Sequence, residues 1–126
     1  MKTSSFFTHQ GVGRISISVS APKGQSGFKS YPALAPDRAW LKMGRAQYEP
    51  LYMAKLAKLD PQKVWGDLTA LADGEEPILL CWETLIKQGE WCHRRMAAAW
   101  LEQHLGHEVL EYGTKSTKEK EQPRLF

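Results

Sequence analysis

Four consecutive residues carry most of the chemistry that this sequence can support: Cys92, His93, Arg94 and Arg95. They begin a stretch with helical periodicity, and the amide groups and dipole of a helix start favour an anion. Arginine adds a planar fork that matches phosphate or carboxylate, and such surroundings favour the thiolate form of a cysteine. The four residues therefore predict an anion site beside a reactive thiol, with Arg94 and Arg95 binding the anion.

The ends of two predicted strands contribute further candidates. One strand is followed by Lys23 and Gly24 in a loop of turn-forming residues, although this loop fits no phosphate-binding motif. The other strand contains Cys81 and is followed by Glu83. Because ligands of open α/β sheets bind beyond the carboxyl ends of the strands, we expect Lys23, Gly24 and Glu83 to face one crevice with the Cys92 region.

These residues define a catalytic hypothesis with assigned roles. Cys92 is the nucleophile or thiolate, His93 carries protons, and Glu83 is the orienting or basic carboxylate. A structural interpretation stands beside it, because cysteines are more often small buried residues than nucleophiles, and Cys81 lies in an apolar run. Both interpretations are open from the sequence.

A metal or redox site is a third interpretation of the two cysteines. It would combine Cys81, Cys92 and His93 with Glu83, and it predicts a bound metal or a disulfide. The sequence does not favour a metal, because Cys92 and His93 are adjacent and no paired, closely spaced ligand motif is present. We therefore expect neither a metal nor another cofactor.

The composition of the chain is that of one globular domain. Of its 126 residues, 42% are hydrophobic and 25% are charged, and no apolar run approaches the roughly 20 residues that cross a bilayer. The N-terminus lacks the apolar stretch of a secretory signal. We therefore expect a cytoplasmic protein with free thiols and no membrane association. The formal net charge of +3 is compatible with an anionic partner.

Hydrophobic patterning predicts an α/β fold, with a short, mainly parallel sheet flanked by helices in Rossmann-like layering. Residues 14–20 alternate as a strand that turns Ile15, Ile17 and Val19 inward. The continuous apolar run Pro77–Trp82 is typical of a central strand covered on both faces.

Three helices and a last strand complete the pattern. The first helix is predicted to have Pro50 in its first turn, and the second to be capped by Asp60. The third is predicted over Cys92–Leu105, with Gly106 as its stop and a strand at His107–Tyr112. Strand, helix and strand within about 35 residues indicate a right-handed βαβ unit.

Several sequence blocks resemble domain-of-unknown-function family 488. The paired strand and helix-start motifs of that family are similar to Leu79–Glu83 and Trp91–Arg95. Other similar blocks are the opening near Thr3, Ile15–Ser18, Tyr31–Pro36 and Leu59–Pro61, so that the resemblance spans residues 1–112. The connection between Glu83 and Trp91 departs from it, because Leu85, Ile86 and Lys87 stand where a short proline-containing link is expected. The resemblance implies an α/β fold and, without an established activity, a functional cluster at Cys81, Glu83, Cys92, His93 and Arg94.

Residues 113–126 are charged and poor in apolar side chains until the last two, so we expect a flexible tail after a domain of residues 1–112. The tail ends Gln122-Pro123-Arg124-Leu125-Phe126, which resembles the pentapeptide by which bacterial replication and repair proteins bind the sliding clamp. The resemblance implies that Leu125 and Phe126 enter an apolar pocket while Gln122 fixes the register. The clamp is thus a predicted partner, with chance occurrence of a short motif as the alternative.

These observations predict an enzyme or enzyme-like domain that acts on a phosphate-bearing nucleotide or DNA through a Cys/His/Arg/Glu site. Its C-terminal peptide would bring it to DNA through the clamp. The alternative is a non-catalytic module that binds a nucleotide or a protein and is tethered to the clamp. Saturable binding without product formation would distinguish this module from the enzyme.

Overall fold

Five parallel strands form one sheet in the computed structural model, which describes residues 1–82 and 92–113. In the spatial order β3-β2-β4-β1-β5, the strands are β1 (Lys2–Ser5), β2 (Arg14–Ser16), β3 (Lys29–Ser30), β4 (Ile78–Cys81) and β5 (Leu110–Glu111). The α-helices in the same ranges are α1 (Arg45–Ala57), α2 (Pro61–Leu71) and α3 (His93–Leu105), and 3-10 helices cover Pro32–Leu34 and Arg38–Trp40. The predicted α/β fold with a short parallel sheet is confirmed. No helix in the described ranges has the length and apolar character needed to cross a membrane.

Strand β4 is the central strand that the apolar run predicts. All its residues are buried, and it pairs with β2 on one side and β1 on the other. Leu79 lies between Ile15 of β2 and Thr3 of β1 in the register. A strand that is paired on both edges and buried on both faces has no side chains in solvent, so its residues are apolar throughout. This strand accordingly consists of Ile78, Leu79, Leu80 and Cys81.

Strand β1 is the element that hydrophobic patterning missed. Thr3, Ser4 and Ser5 are fully buried although all three are polar. The hydroxyl of Thr3 donates to a carboxylate oxygen of Glu111 at 2.7 Å, and that of Ser5 lies 2.8 Å from the hydroxyl of Thr8. Hydrogen bonds of this kind offset the cost of burying the hydroxyls of Thr3 and Ser5, whereas the buried hydroxyl of Ser4 has no partner in the described residues. The strand therefore occupies the sheet between β4 and β5 without an apolar signature.

The chain returns from the end of β1 to the start of β2 through residues 6–13 alone. Phe6 is fully buried at the beginning of this return, and Gly13 at its end has a φ of +80°. A side chain at Gly13 would overlap the carbonyl oxygen of Glu76, because the amide of Ile78 donates to the carbonyl of Gly13 at 2.8 Å. Only glycine satisfies both the positive φ and this close approach.

The predicted strand over residues 14–20 is shorter than expected. It ends at Ser16, and its last ladder contact is the amide of Ile17 donating to the carbonyl of Leu80 at 3.0 Å. Ile15 and Ile17 are fully buried as predicted, whereas Val19 is only half-buried. The hydroxyl of Ser18 donates to the carbonyl of Ser20 at 2.8 Å, so the backbone turns away from the sheet here.

Helix α1 begins earlier than its proline predicts. It starts at Arg45, so that Pro50 lies inside the helix, and the predicted placement of Pro50 in the first turn is wrong. A proline there removes one backbone hydrogen bond. Packing offsets this loss, because Tyr48 and Tyr52 are buried and the hydroxyl of Tyr52 donates to the carbonyl of Leu34 at 2.6 Å.

The other two helices follow their capping signals. The side chain of Asp60 accepts from the amide of Gln62 at 3.0 Å, which confirms the predicted cap of α2. Helix α3 begins directly after Cys92 and ends at Gly106, which has the left-handed conformation expected of a helix stop. The following strand is shorter than His107–Tyr112, since only Leu110–Glu111 pair with β1.

Candidate functional site

A cavity of about 540 Å³ lies at the carboxyl end of the central strands. Its described lining comes from the segment after β2, the residue after β4, the start of α3, and the chain around the beginning of α1. These residues are Ser18, Val19, Ser20, Pro36, Leu41, Met43, Tyr48, Trp82, Cys92 and His93. The cavity therefore occupies the part of an open α/β sheet where ligands bind.

Three buried residues form a compact cluster at the wall of this cavity. Cys81 ends β4, Cys92 precedes α3, and His93 is the first residue of α3. Their exposed fractions are 0%, 2% and 6%, and their ligand atoms lie within 4.8 Å of one another. The two sulfur atoms are joined as a disulfide, so the expectation of free thiols is wrong for this structure, because the end of β4 and the start of α3 bring the two cysteines together. Nδ1 of His93 lies 3.8 Å from Sγ of Cys92. The structure thus joins three of the residues that the sequence singled out.

The orientation of the His93 ring is fixed by a backbone carbonyl. Nε2 of His93 lies 2.6 Å from the carbonyl oxygen of Ile17. A carbonyl only accepts hydrogen bonds, so Nε2 carries the ring proton and the lone pair of Nδ1 points towards the sulfur of Cys92. Burial lowers the pKa of His93 to about 4, with a smaller contribution from the charge of Arg94. The ring is therefore neutral at physiological pH.

Arg94 is held inside the fold and is not among the described residues that line the cavity. Its side chain is 1% exposed. Nε and Nη2 donate to the two carboxylate oxygens of Glu111, at 3.1 and 2.6 Å, and Nη1 donates to Sγ of Cys81 at 3.1 Å. The guanidinium therefore uses its planar fork on a carboxylate of this chain, where the sequence predicts an external anion.

Arg95 also contacts the sheet region, at β1 and at the residue before β5. Its Nη1 donates to the hydroxyl of Thr3 at 2.8 Å and to the carbonyl of Val109 at 3.0 Å. Lys23 and Gly24 lie in an exposed loop, and a side chain at Gly24 would meet nothing within 4 Å. None of these three residues is among the described lining of the cavity.

Four predicted site residues lie outside the part of the chain that the structure describes: Glu83, Gln122, Leu125 and Phe126. Their assigned roles as carboxylate and clamp-binding residues stay predictions. The structure therefore bears on the Cys92 and His93 positions and on the two arginines, but not on the complete predicted set.

Several cavity residues were missed by the sequence analysis. Trp82 is 44% exposed and directs its indole N–H to the carbonyl of Ser20. Trp82 lies at the end of the predicted strand Pro77–Trp82, as Ser18 and Ser20 lie at the end of the predicted strand over residues 14–20, and a place at a strand end is a signal that could have identified it. Leu41 and Tyr48 carry no such signal, because they reach the cavity only through the packing of α1 and the segment before it.

Comparisons with known proteins returned no match: no family model matches the chain, and no curated protein or solved structure does either. The resemblance to domain-of-unknown-function family 488 stays a prediction. The function must therefore be argued from the geometry of the Cys81–Cys92–His93 cluster and of the cavity beside it.

Proposed function

We propose that this protein is an enzyme or enzyme-like domain that binds a small ligand in the cavity and acts on it through Cys92 and His93. One observation carries the proposal: a buried cysteine sulfur and a neutral imidazole share the wall of a cavity of about 540 Å³ at the carboxyl end of the sheet. The volume lies within the range of about 300–1,000 Å³ that is common for small-ligand sites.

The walls of the cavity favour a ligand with a planar part and a polar or anionic end. Trp82 and Tyr48 offer aromatic rings, and Ser18 and Ser20 offer hydroxyl groups. The amino terminus of α3 lies at the wall through Cys92, whose side chain forms no capping hydrogen bond. No lysine or arginine is among the described lining residues, so the helix terminus and the hydroxyls would hold the anion. A phosphate-bearing nucleotide, free or within DNA, is the ligand class that we propose.

The proposed chemistry begins with the thiol of Cys92 in the reduced protein, in which the bond to Cys81 is open. The unprotonated Nδ1 of His93 faces this sulfur, so it can accept the thiol proton while Nε2–H stays bonded to the carbonyl of Ile17. As the sulfur bonds to an electrophilic atom of the bound ligand, the bond from that atom to the leaving group breaks, and the leaving group takes up the proton from Nδ1. Glu83 keeps its proposed role as an orienting carboxylate.

A titration followed by product analysis tests this function. The protein is titrated with nucleotides while tryptophan fluorescence is recorded, and each mixture is then analysed for product. We expect turnover in the unmodified protein and its loss in Cys92→Ser and His93→Gln. His104→Gln is the matched control, because His104 is an exposed residue on the same helix, and it should leave turnover unchanged. Unchanged turnover in Cys92→Ser would remove the nucleophile role.

A binding module without catalysis is the second candidate, and the low exposure of the thiol favours it. Cys92 is only 2% exposed, whereas a nucleophile needs access to its substrate. This candidate predicts saturable nucleotide binding with no product. It also predicts that Cys92→Ser retains full affinity.

We also propose that residues 122–126 tether the protein to a bacterial sliding clamp and that the protein works in the cytoplasm. The support is the sequence Gln122-Pro123-Arg124-Leu125-Phe126, whose two apolar residues suit an apolar pocket. Fluorescence anisotropy of the labelled full chain with purified clamp should show saturable binding that the double variant Leu125→Ala, Phe126→Ala abolishes. Lys118→Ala is the control in the same segment. Equal binding by all three proteins would refute the tether.

A further inference from the structure

We infer that Cys81, Cys92 and His93 together bind one Zn²⁺ ion. Their ligand atoms lie within 4.8 Å of one another, and all three side chains are buried. Two sulfurs and an imidazole nitrogen form a donor set that suits Zn²⁺ and disfavours Mg²⁺ or Ca²⁺. The inference deepens the proposed function, because Cys92 and His93 also line the cavity and the ion would lie at its wall.

The backbone explains how two adjacent residues become ligands of one ion. Cys92 has an extended conformation, with φ −153° and ψ 148°, whereas His93 is already helical. The chain changes direction between them, so that Sγ and Nδ1 come to lie 3.8 Å apart. Two such atoms on a tetrahedral zinc ion are separated by about 3.6 Å. The adjacency of Cys92 and His93 in the sequence therefore does not prevent them from binding the same ion.

The second nitrogen of His93 has the partner that metal-binding histidines usually have. Nε2 donates to the carbonyl of Ile17 at 2.6 Å. A hydrogen bond from the distal nitrogen to a carbonyl or carboxylate fixes the ring and directs the other lone pair to the metal. The lone pair of Nδ1 accordingly faces the sulfur atoms.

The spacing of the two cysteines favours a shared ion over a disulfide. Their Cα atoms are 7.8 Å apart, whereas disulfide-bonded cysteines have Cα atoms about 4.4–6.8 Å apart. In the reduced protein both sulfurs are free to bind one ion, which suits the longer separation. Arg94 donates to Sγ of Cys81 at 3.1 Å, which stabilises the thiolate form, and its own charge is balanced by Glu111.

Zinc binding would change the form of the reactive sulfur. Both thiols release their protons to solvent when the ion binds, and the imidazole binds through its neutral lone pair. Cys92 would then be a metal-bound thiolate, and Nδ1 of His93 a ligand, where the metal-free site uses Nδ1 as a proton acceptor. Three protein ligands with one further position are the pattern of catalytic zinc sites.

Metal analysis of the full-length protein tests the inference. The chain is purified without chelator, reduced, incubated with excess Zn²⁺ and desalted. We expect about one zinc per chain. Cys81→Ser and Cys92→Ser should fall to background, and the control His104→Gln should keep the full content. No zinc in the unmodified protein, or full zinc in either cysteine variant, overturns the inference.

X-ray absorption on the unmodified zinc-loaded protein keeps the inference testable if the variants do not fold. Two sulfur neighbours at about 2.3 Å and at least one nitrogen at about 2.0–2.1 Å are expected. A zinc coordination shell without sulfur neighbours overturns the inference. Nucleotide binding is measured separately by tryptophan fluorescence. Zinc without nucleotide binding would refute only the proposed function, and nucleotide binding without zinc would refute only the metal site.

Discussion

The first residues of α3 serve two regions of the molecule that differ in kind. Cys92 and His93 face the cavity, whereas Arg94 and Arg95 contact β1, β5 and the residue before β5. We call the second region the arginine lock, defined by Arg94, Arg95, Glu111, Thr3 and Val109. Both regions are polar, but the arginine lock uses its polar groups on one another and on the sulfur of Cys81, while the cavity side has hydroxyls and the sulfur of Cys92 along the cavity wall.

The difference shows that charge near a reactive residue does not by itself indicate a ligand. Arg94 is more deeply buried than His93, with exposed fractions of 1% and 6%. A guanidinium buried to that degree must have a counter-charge, and Glu111 supplies it. The arginine lock therefore contributes stability, and the cavity side contributes the chemistry that we propose.

Removing Arg94 should have the largest effect on folding. Arg94→Ala leaves the carboxylate of Glu111 without its cationic partner, and we expect the free energy of unfolding to fall by about 3 kcal/mol. This is at the low end for broken buried pairs, because Glu111 is 25% exposed. Urea denaturation measures the loss. In the double variant Arg94→Ala, Glu111→Gln, part of the stability should return. A loss below about 1 kcal/mol would place Arg94 among ordinary surface residues.

Removing Arg95 should have a moderate effect. Arg95→Ala deletes the donor to Thr3 and Val109, and we expect a loss of about 1–2 kcal/mol in the same measurement. Arg45→Ala is the matched control, since Arg45 forms an exposed helical ion pair with Glu49 and should cost at most about 0.5 kcal/mol. Equal losses for both variants would contradict the structural role of Arg95.

Changing Trp82 should have the smallest effect on folding and a clear effect on binding. Trp82→Ala removes a side chain that is 44% exposed, so we expect less than about 1 kcal/mol of destabilisation. Loss of aromatic stacking should weaken nucleotide binding about tenfold, as calorimetric titration would show. Arg95→Ala, corrected for its stability, should leave the affinity unchanged. Weaker nucleotide binding by Arg95→Ala, together with unchanged binding by Trp82→Ala, would reverse the assignment of the two regions.

The sequence predicted the centre of the fold and the position of Cys92 and His93 well, because their signals are local. The apolar run of β4, the Asp60 cap and the Gly106 stop each depend on neighbouring residues only. The same holds for the placement of Cys92 and His93 at a helix start, beyond the end of a central strand.

The directions of the arginines could not be predicted, because they depend on where α3 lies over the sheet. Each residue of a helix turns by about 100° relative to the one before it, so adjacent residues can face a cavity or the sheet. Glu111, which pairs with Arg94, is far away in sequence and belongs to a two-residue strand. Strand β1 was missed because its buried residues are hydroxyl-bearing, and patterning methods identify buried strands by apolar side chains.

The polar strand β1 has a consequence for how the chain is synthesised. Its partners in the sheet, β4 and β5, begin at Ile78 and Leu110, so most of the polypeptide leaves the ribosome before β1 can pair. Pairings of such long sequence separation form late. An unpaired apolar strand would be prone to associate with other nascent chains. The polar side chains of Thr3, Ser4 and Ser5 can instead be hydrated until β4 has been synthesised. A hydroxyl-rich β1 is therefore less prone than an apolar strand to associate with other chains before its partners are available.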